Sequence, residues 1–261
     1  MESHRPGHRH ALPALATLLA LASPLAARAD GNPGYDRPGL GFTPAVLQAG
    51  DVSWEQGLPD ASRDRKDGAT STQYDADTLL RLGLGRSVEL QLGGSPYNYL
   101  RQTGADGRYH SHGRGDSTLG MKFALPASGT FSWGLLGSVE FTDGAPDFRN
   151  PRRQYLLGAD FNWQWSARNI AALYLENVRS GGRDSRLLAV NDGYAFTPTL
   201  NGFIEIALQD DADDGHGSRA GAGLAWMLTP RVQVDASARH RIGGHAPAWE
   251  AGLGISVYFG R

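Results

Sequence analysis

The 261-residue chain contains no cysteine. That absence excludes disulfide scaffolds, thiolate zinc sites and cysteine nucleophiles together. Long apolar runs are scarce too. The run Ala14–Ala22 near the N-terminus is about half the length that a membrane-spanning helix needs. Past residue 30 no run could cross a bilayer as a helix, and mean hydropathy is low at −0.38. A membrane location would therefore require strands. Positive charge is not in excess, with a formal net of −2, so nucleic acid is not an expected partner. Chemical motifs are sparse: there is no nucleophile elbow and no phosphate-binding glycine loop. His110 and His112 stand close enough to grip a metal, but in a loop they read as polar surface. Asp210, Asp211, Asp213 and Asp214 lack the spacing and closing Glu of a calcium loop. No catalytic residue, metal ligand or cofactor is assigned.

What the chain does have begins with a basic start at Arg5 and Arg9. The apolar run follows, then Pro24 and the small-residue pattern Ala27-Arg28-Ala29. This is the layout of a cleaved secretory signal over residues 1–29. Its removal takes away three Arg and one Glu, leaving 22 basic and 26 acidic residues and a net of −4.

Beyond it the dominant period is two. Val88, Leu90 and Leu92 alternate with Glu89 and Gln91. Val232, Val234, Ala236 and Ala238 alternate with Gln233, Asp235 and Ser237. Trp249, Ala251, Leu253, Ile255, Val257 and Phe259 share one face, and Glu250, Ser256 and Tyr258 share the other with small glycines. Side chains alternate faces along a strand, so each segment has a greasy side and a small or polar side. The pattern predicts twelve strands, near 51–58, 72–84, 87–95, 115–125, 131–142, 154–165, 169–178, 185–196, 199–208, 217–228, 231–239 and 249–259. Most have the length of a tilted membrane-crossing strand.

The connections alternate as well. Short turns fall at 85–86, 126–130, 166–168, 197–198 and 229–230; longer loops fall at 59–71, 96–114, 143–153, 179–184, 209–216 and 240–248. Short periplasmic turns and longer outer loops mark antiparallel transmembrane β-barrels. Aromatics on the apolar face form two groups. Phe131, Trp133, Trp165, Phe196, Trp226 and Phe259 lie near the short turns; Tyr74, Phe141, Tyr155 and Trp249 lie near the loops. Two girdles are what two membrane interfaces select. A soluble β-sandwich would share the alternation but bury its apolar face.

If the apolar face meets lipid, the other lines the lumen. That register places eleven acids inside: Glu55, Asp75, Asp77, Glu89, Asp116, Glu140, Asp160, Glu176, Glu205, Asp235 and Glu250. Only three bases accompany them: Arg81, Lys122 and Arg239. A narrow lumen of one sign would favour cations. The opposing expectation is an ion-paired interior, with arginines such as Arg152, Arg183 and Arg219 folding in from the loop ends. Inward glycines, among them Gly134, Gly158 and Gly254, leave room for a solute or let strands bend.

Several stretches read together resemble the bacterial outer-membrane family named for the meta-pathway of phenol degradation, whose members are transporter-like β-barrels. The residues that carry this are Arg37-Pro38-Gly39-Leu40-Gly41-Phe42-Thr43-Pro44, Trp54-Glu55-Gln56-Gly57-Leu58-Pro59, Leu79-Leu80-Arg81-Leu82-Gly83-Leu84, Glu89-Leu90-Gln91-Leu92, Leu119-Gly120-Met121-Lys122, Thr229-Pro230-Arg231 and Ala251-Gly252-Leu253-Gly254 through Tyr258-Phe259. The resemblance covers almost the whole mature chain. It implies uptake of aromatic or other small apolar compounds and brings no catalytic residues. Gly260 and Arg261 follow the last aromatic, displacing by two positions the terminal signal that the barrel-assembly machinery reads.

The expectation is therefore an all-β outer-membrane barrel over 51–261, preceded by a periplasmic or plug-like segment at 30–50 that tucks against the barrel mouth. Its partners would be outer-membrane lipid, the assembly machinery and a small-molecule solute, with no nucleic acid. Passage of small molecules is the leading function. A barrel enzyme, or a plugged structural or adhesive barrel acting through its outer loops, is the alternative.

Overall fold

A computed structural model describes residues 32–66, 68–105, 107–125, 127 and 129–260. The segment expected to be the signal peptide lies outside the described residues. Every regular element among the described residues is a strand, and all pairings are antiparallel. They are β1 (Val52–Lys66), β2 (Ala69–Asp75), β3 (Thr78–Gly83), β4 (Val88–Gly94), β5 (Asn98–Gly104), β6 (Gly107–Gly113), β7 (Ser117–Ala124), β8 (Phe131–Glu140), β9 (Gln154–Gln164), β10 (Asn169–Ser180), β11 (Arg183–Ala195), β12 (Leu200–Asp211), β13 (Gly215–Thr229), β14 (Val232–Gly244) and β15 (Trp249–Phe259).

β1 pairs with β15 and closes the sheet. Three wall strands are each interrupted once, so β2 continues as β3, β4 as β5, and β6 as β7. The fifteen segments thus make a closed barrel of twelve strands. Closure removes the edges that an open sheet would expose.

The apolar side chains face outward. Leu157 is 64 % exposed and Ile204 66 %, and Leu80, Leu92, Met121, Leu224 and Leu253 share that surface. Meanwhile Arg81, Lys122, Glu55 and Glu89 are buried inside. A sandwich would show the reverse. An apolar belt of this extent exceeds what a soluble monomer exposes and calls for lipid around it.

Two predicted loops are strands instead. The segments 59–71 and 96–114 form the hairpins β1–β2 and β5–β6, and β2 pairs with β5. Together they build a four-stranded wing that rises beyond the outer end of the barrel. Both of its faces are largely polar, so no greasy side marks it in the sequence. The wing starts at a bulge. Gly57 pairs with Gly254 but Asp60 with Gly252, so β1 carries one extra residue there. Before the bulge Glu55 points inward; after it Asp60 does, and the alternation has changed phase.

Candidate functional site: the lumen

Residues 32–50 adopt no regular structure and run inside the inner half of the barrel. The segment is anchored at the short β13–β14 turn. The Asn32 amide donates to the Pro230 carbonyl (3.2 Å) and the Tyr35 hydroxyl to the Arg231 carbonyl (2.5 Å). Burial raises the Tyr35 pKa, which keeps the phenol a neutral donor. At its far end the Gly83 amide donates to the Asp51 carbonyl (2.9 Å), where β1 begins.

Between these anchors the barrel holds the segment mainly through its backbone. The amides of Asp36 and Arg37 donate to Glu55 at 2.9 Å. Those of Leu40, Phe42 and Leu47 donate to Glu205 (3.0 Å), Asp160 (3.3 Å) and Glu89 (3.1 Å). An irregular segment leaves such amides without strand partners, and a buried unpaired amide is costly. The carboxylates supply the partners.

The segment returns charge to the wall. Asp36 accepts from Lys122 (3.1 Å) and Gln91 (2.9 Å), and lies 3.6 Å from Arg81. Arg81 also donates to Glu89 (2.7 Å) and Glu55 (3.0 Å). Arg37 forms a fork on Asp60 (2.7 and 2.8 Å) and meets Asp235 at 3.3 Å. Burial opposes charge on Arg37, but its hydrogen bonds and attraction to Asp60, with Asp235 and Glu55, outweigh this and raise its pKa. Arg239 joins Glu205 (2.5 Å) to the Pro38 carbonyl (2.9 Å).

Wall glycines make room for this packing. A Cβ at Gly83 would run into the backbone carbonyls of Leu47 and Gln48, and one at Gly254 into the Arg37 guanidinium. The space expected for a solute is here filled by the chain itself.

Above this polar layer sits an apolar one. Leu40 and Phe42 pack with Leu136, Tyr174, Ala189 and Ala207, backed by Leu156 and Leu187. The Phe42 and Tyr174 rings meet edge to face at 5.9 Å. The Tyr174 hydroxyl emerges on the outer side and donates to Glu176 (2.5 Å).

Glu176 lines a cavity of about 510 Å³ at the outer end. Leu187 and Val178 contribute apolar wall there, with Gln154, Gln209, Arg152 and Arg219 among the polar lining. Arg219 is buried, donates to Gln209 (2.9 Å) and faces Glu250 at 3.2 Å. Beside the cavity, the loop over 141–153 is held by Asp116, which accepts from the amides of Gly144 and Asn150 (both 2.7 Å). Glu140 accepts from the Asn150 side chain (2.6 Å). In that loop Asp143 is held below the usual carboxylate range by the Ser117 amide, with Arg114 assisting.

The residues assigned to the lumen from sequence thus serve three different ends. Glu55, Arg81, Glu89, Lys122, Asp160, Glu205, Asp235 and Arg239 touch the N-terminal segment or its ion pairs. Asp116 and Glu140 hold the outer loop, while Glu176 and Glu250 lie at or beside the cavity. Asp75 and Asp77 flank the break between β2 and β3, half-buried. Sequence reasoning misses Asp36, Arg37 and Gln91. The first two carry no alternating pattern, and Arg219 is one of the loop-end arginines that does fold inward. Arg152 and Arg183 stay exposed at the cavity rim. Of the girdle residues, Phe131, Trp165, Phe196, Trp226, Phe259, Tyr74, Tyr155 and Trp249 are exposed aromatics, and Trp133 and Phe141 are half-exposed. Trp163, not expected there, is 58 % exposed on the same face.

A family model described as "Putative MetA-pathway of phenol degradation" matches residues 35–259, from the segment inside the lumen to the last strand. The chain belongs to this family. Among solved structures, it is similar to an outer-membrane channel from Pseudomonas putida F1, with TM-score 0.70 and 14 % identity over 85 % of this chain and 99 % of that one. It is also similar to the KdgM porin in complex with disordered oligogalacturonate (TM-score 0.52, 9 % identity, 80 % and 99 % covered). A third likeness is to the β domain of the Bordetella autotransporter BrkA (TM-score 0.51, 14 % identity, 81 % and 100 % covered). At such identities the likeness is one of fold. No curated protein sequence matches the chain. The apolar belt, the closed wall and this family place the phenol-degradation-family barrel in the bacterial outer membrane.

Proposed function

We propose that this barrel is an outer-membrane channel for small molecules, closed on its periplasmic side by its own residues 32–50. The observation that carries the reading is the division of the lumen. An outer cavity of about 510 Å³ reaches, through Leu187, the apolar cluster that Leu40 and Phe42 help to form, and these two belong to a segment and not to the wall. That segment is held by hydrogen bonds and ion pairs, which can exchange with water, and no covalent staple is available in a cysteine-free chain. Passage would require only that it shift. In this reading the solute crosses without chemical change, the outward belt contacts lipid, and the assembly machinery reads the aromatic end of β15 at Phe259.

The cavity has apolar Leu187 and Val178 beside polar Gln154, Gln209 and Arg219, which suits a small solute with one apolar face and one polar group. Aromatic compounds are one such class. The acidic-lumen expectation changes meaning: Glu89, Glu205 and Asp235 are engaged by the segment and its cations, so they report its attachment before they report ion selectivity.

The test is a planar-bilayer recording of the mature barrel beside a variant lacking residues 30–50. The deletion should convert a nearly silent protein into one with large, stable conductance steps. A deletion variant that is folded, by heat-modifiable migration, yet silent would overturn the channel reading.

A further inference from the structure

The wing has two unlike faces, and its register fixes which residues share each. Directly paired residues point the same way. Nearest the barrel the outward row is Ala61, Tyr74, Tyr99 and His112. The next row out is Arg63, Thr72, Arg101 and His110, and the one after is Arg65, Thr70, Thr103 and Arg108. Four arginines and two histidines thus stand on one face, all of them exposed, and no acidic residue occurs in these rows. Acids of β1 and β2 lie on the other face: Asp60, Asp64 and Asp75. Two of them already have cations, Asp60 with Arg37 and Asp64 with Arg241.

This face is continuous with the membrane surface of the barrel. The tilted rings of Tyr74 and Tyr99 lie 6.3 Å apart in the row below the arginines, and Arg63 pairs across the strands with the exposed Trp249. Tyrosine and tryptophan mark the interface between hydrocarbon and headgroups. Two residues of a strand advance about 7 Å, so the arginine rows stand roughly 7 and 14 Å beyond the tyrosines, at headgroup height. The short turns are periplasmic, so the wing is on the outer side. There the leaflet facing it is phosphorylated glycolipid.

We infer that the outward face of the wing is a docking surface for the phosphates of outer-leaflet glycolipid, read by Arg63, Arg65, Arg101 and Arg108. Guanidinium groups suit this partner because each can offer two parallel donors to one phosphate. The wing would be held against the leaflet, and with it the rim of the outer cavity. The inference does not depend on whether the barrel conducts.

The experiment uses the full mature chain in detergent, titrated with bisphosphorylated lipid A and with the same lipid stripped of phosphate. The wild type should prefer the phosphorylated form by roughly tenfold or more, and added salt should weaken that preference. A variant carrying Arg63→Gln, Arg65→Gln, Arg101→Gln and Arg108→Gln should lose the preference while keeping heat-modifiable migration. If it does not fold, the Arg101→Gln, Arg108→Gln pair on the β5–β6 hairpin replaces it and should lose a measurable part. Equal binding of the two lipids by the wild type would overturn the inference, as would unchanged preference in the folded variant. Heparin bound as tightly as lipid A would also overturn it, in favour of a surface for soluble polyanions.

Discussion

The inner and outer halves of the lumen are built by the same rule and end in opposite conditions. In both, alternate wall residues point inward and many are charged. In the inner half Glu55, Glu89, Asp160 and Glu205 each receive a backbone amide, and Arg81 and Lys122 are fully enclosed. In the outer half Glu176, Arg219 and Gln209 border open space. The presence of residues 32–50 makes the difference. Polar inward residues do not by themselves define a pore; the occupant decides whether they act as a socket or as a vestibule.

The comparison breaks most severely at Arg81. Three carboxylates converge on its guanidinium, so Arg81→Ala takes the cation from Glu55 and leaves Lys122 alone to offset Asp36 and Glu89. Removing one partner of a buried ionic cluster costs about 3–5 kcal/mol. Thermal loss of the compact, heat-modifiable form should shift to markedly lower temperature. Next is Phe42→Ala, which strips the ring from the apolar layer at a cost of about 3–5 kcal/mol, confined to the segment's attachment. The barrel should stay folded, its melting little changed, while bilayer recordings show frequent openings; an unaltered silent trace would argue that the apolar layer is not the barrier. Glu205→Gln removes a charge-assisted bond worth about 1.5–3 kcal/mol from Leu40 and Arg239. Hydrogen exchange should quicken at the Leu40 amide more than in β12. The smallest effect belongs to the vestibule: Gln209→Ala should cost about 1 kcal/mol or less and leave closure intact while altering the Kd of any solute that binds there.

Alternation made the barrel legible because lipid demands apolar side chains on every second position of the wall. It failed for the wing, where Tyr99, Arg101 and Thr103 alternate with Leu100 and Gln102 and neither face is uniformly apolar. The inward acids were also readable, but their function was not. Glu55 and Glu205 bind backbone amides of Asp36, Arg37 and Leu40, and an amide leaves no mark in a sequence. The glycines and prolines between 32 and 44 are the available sign that this stretch forms no strand, and Thr43-Pro44, matching the turns at 197–198 and 229–230, points to the barrel mouth without showing how deep the segment reaches.

One irregularity in β1 carries a consequence for how this protein can vary. The extra residue between Gly57 and Asp60 is a phase marker: everything encoded after it is written to the opposite side of the wall. Excise the extra residue itself and the bulge would close with every later side chain unmoved, but excise one at Ala61 or Ser62, and Arg63 and Arg65 would swing toward the vestibule while Asp64 turned to the leaflet. A three-nucleotide deletion would thus swap the electrical sign of two surfaces at once without altering one charged residue. Divergence along this lineage should therefore tolerate many substitutions between the bulge and the β1–β2 turn and very few changes in the length of that stretch.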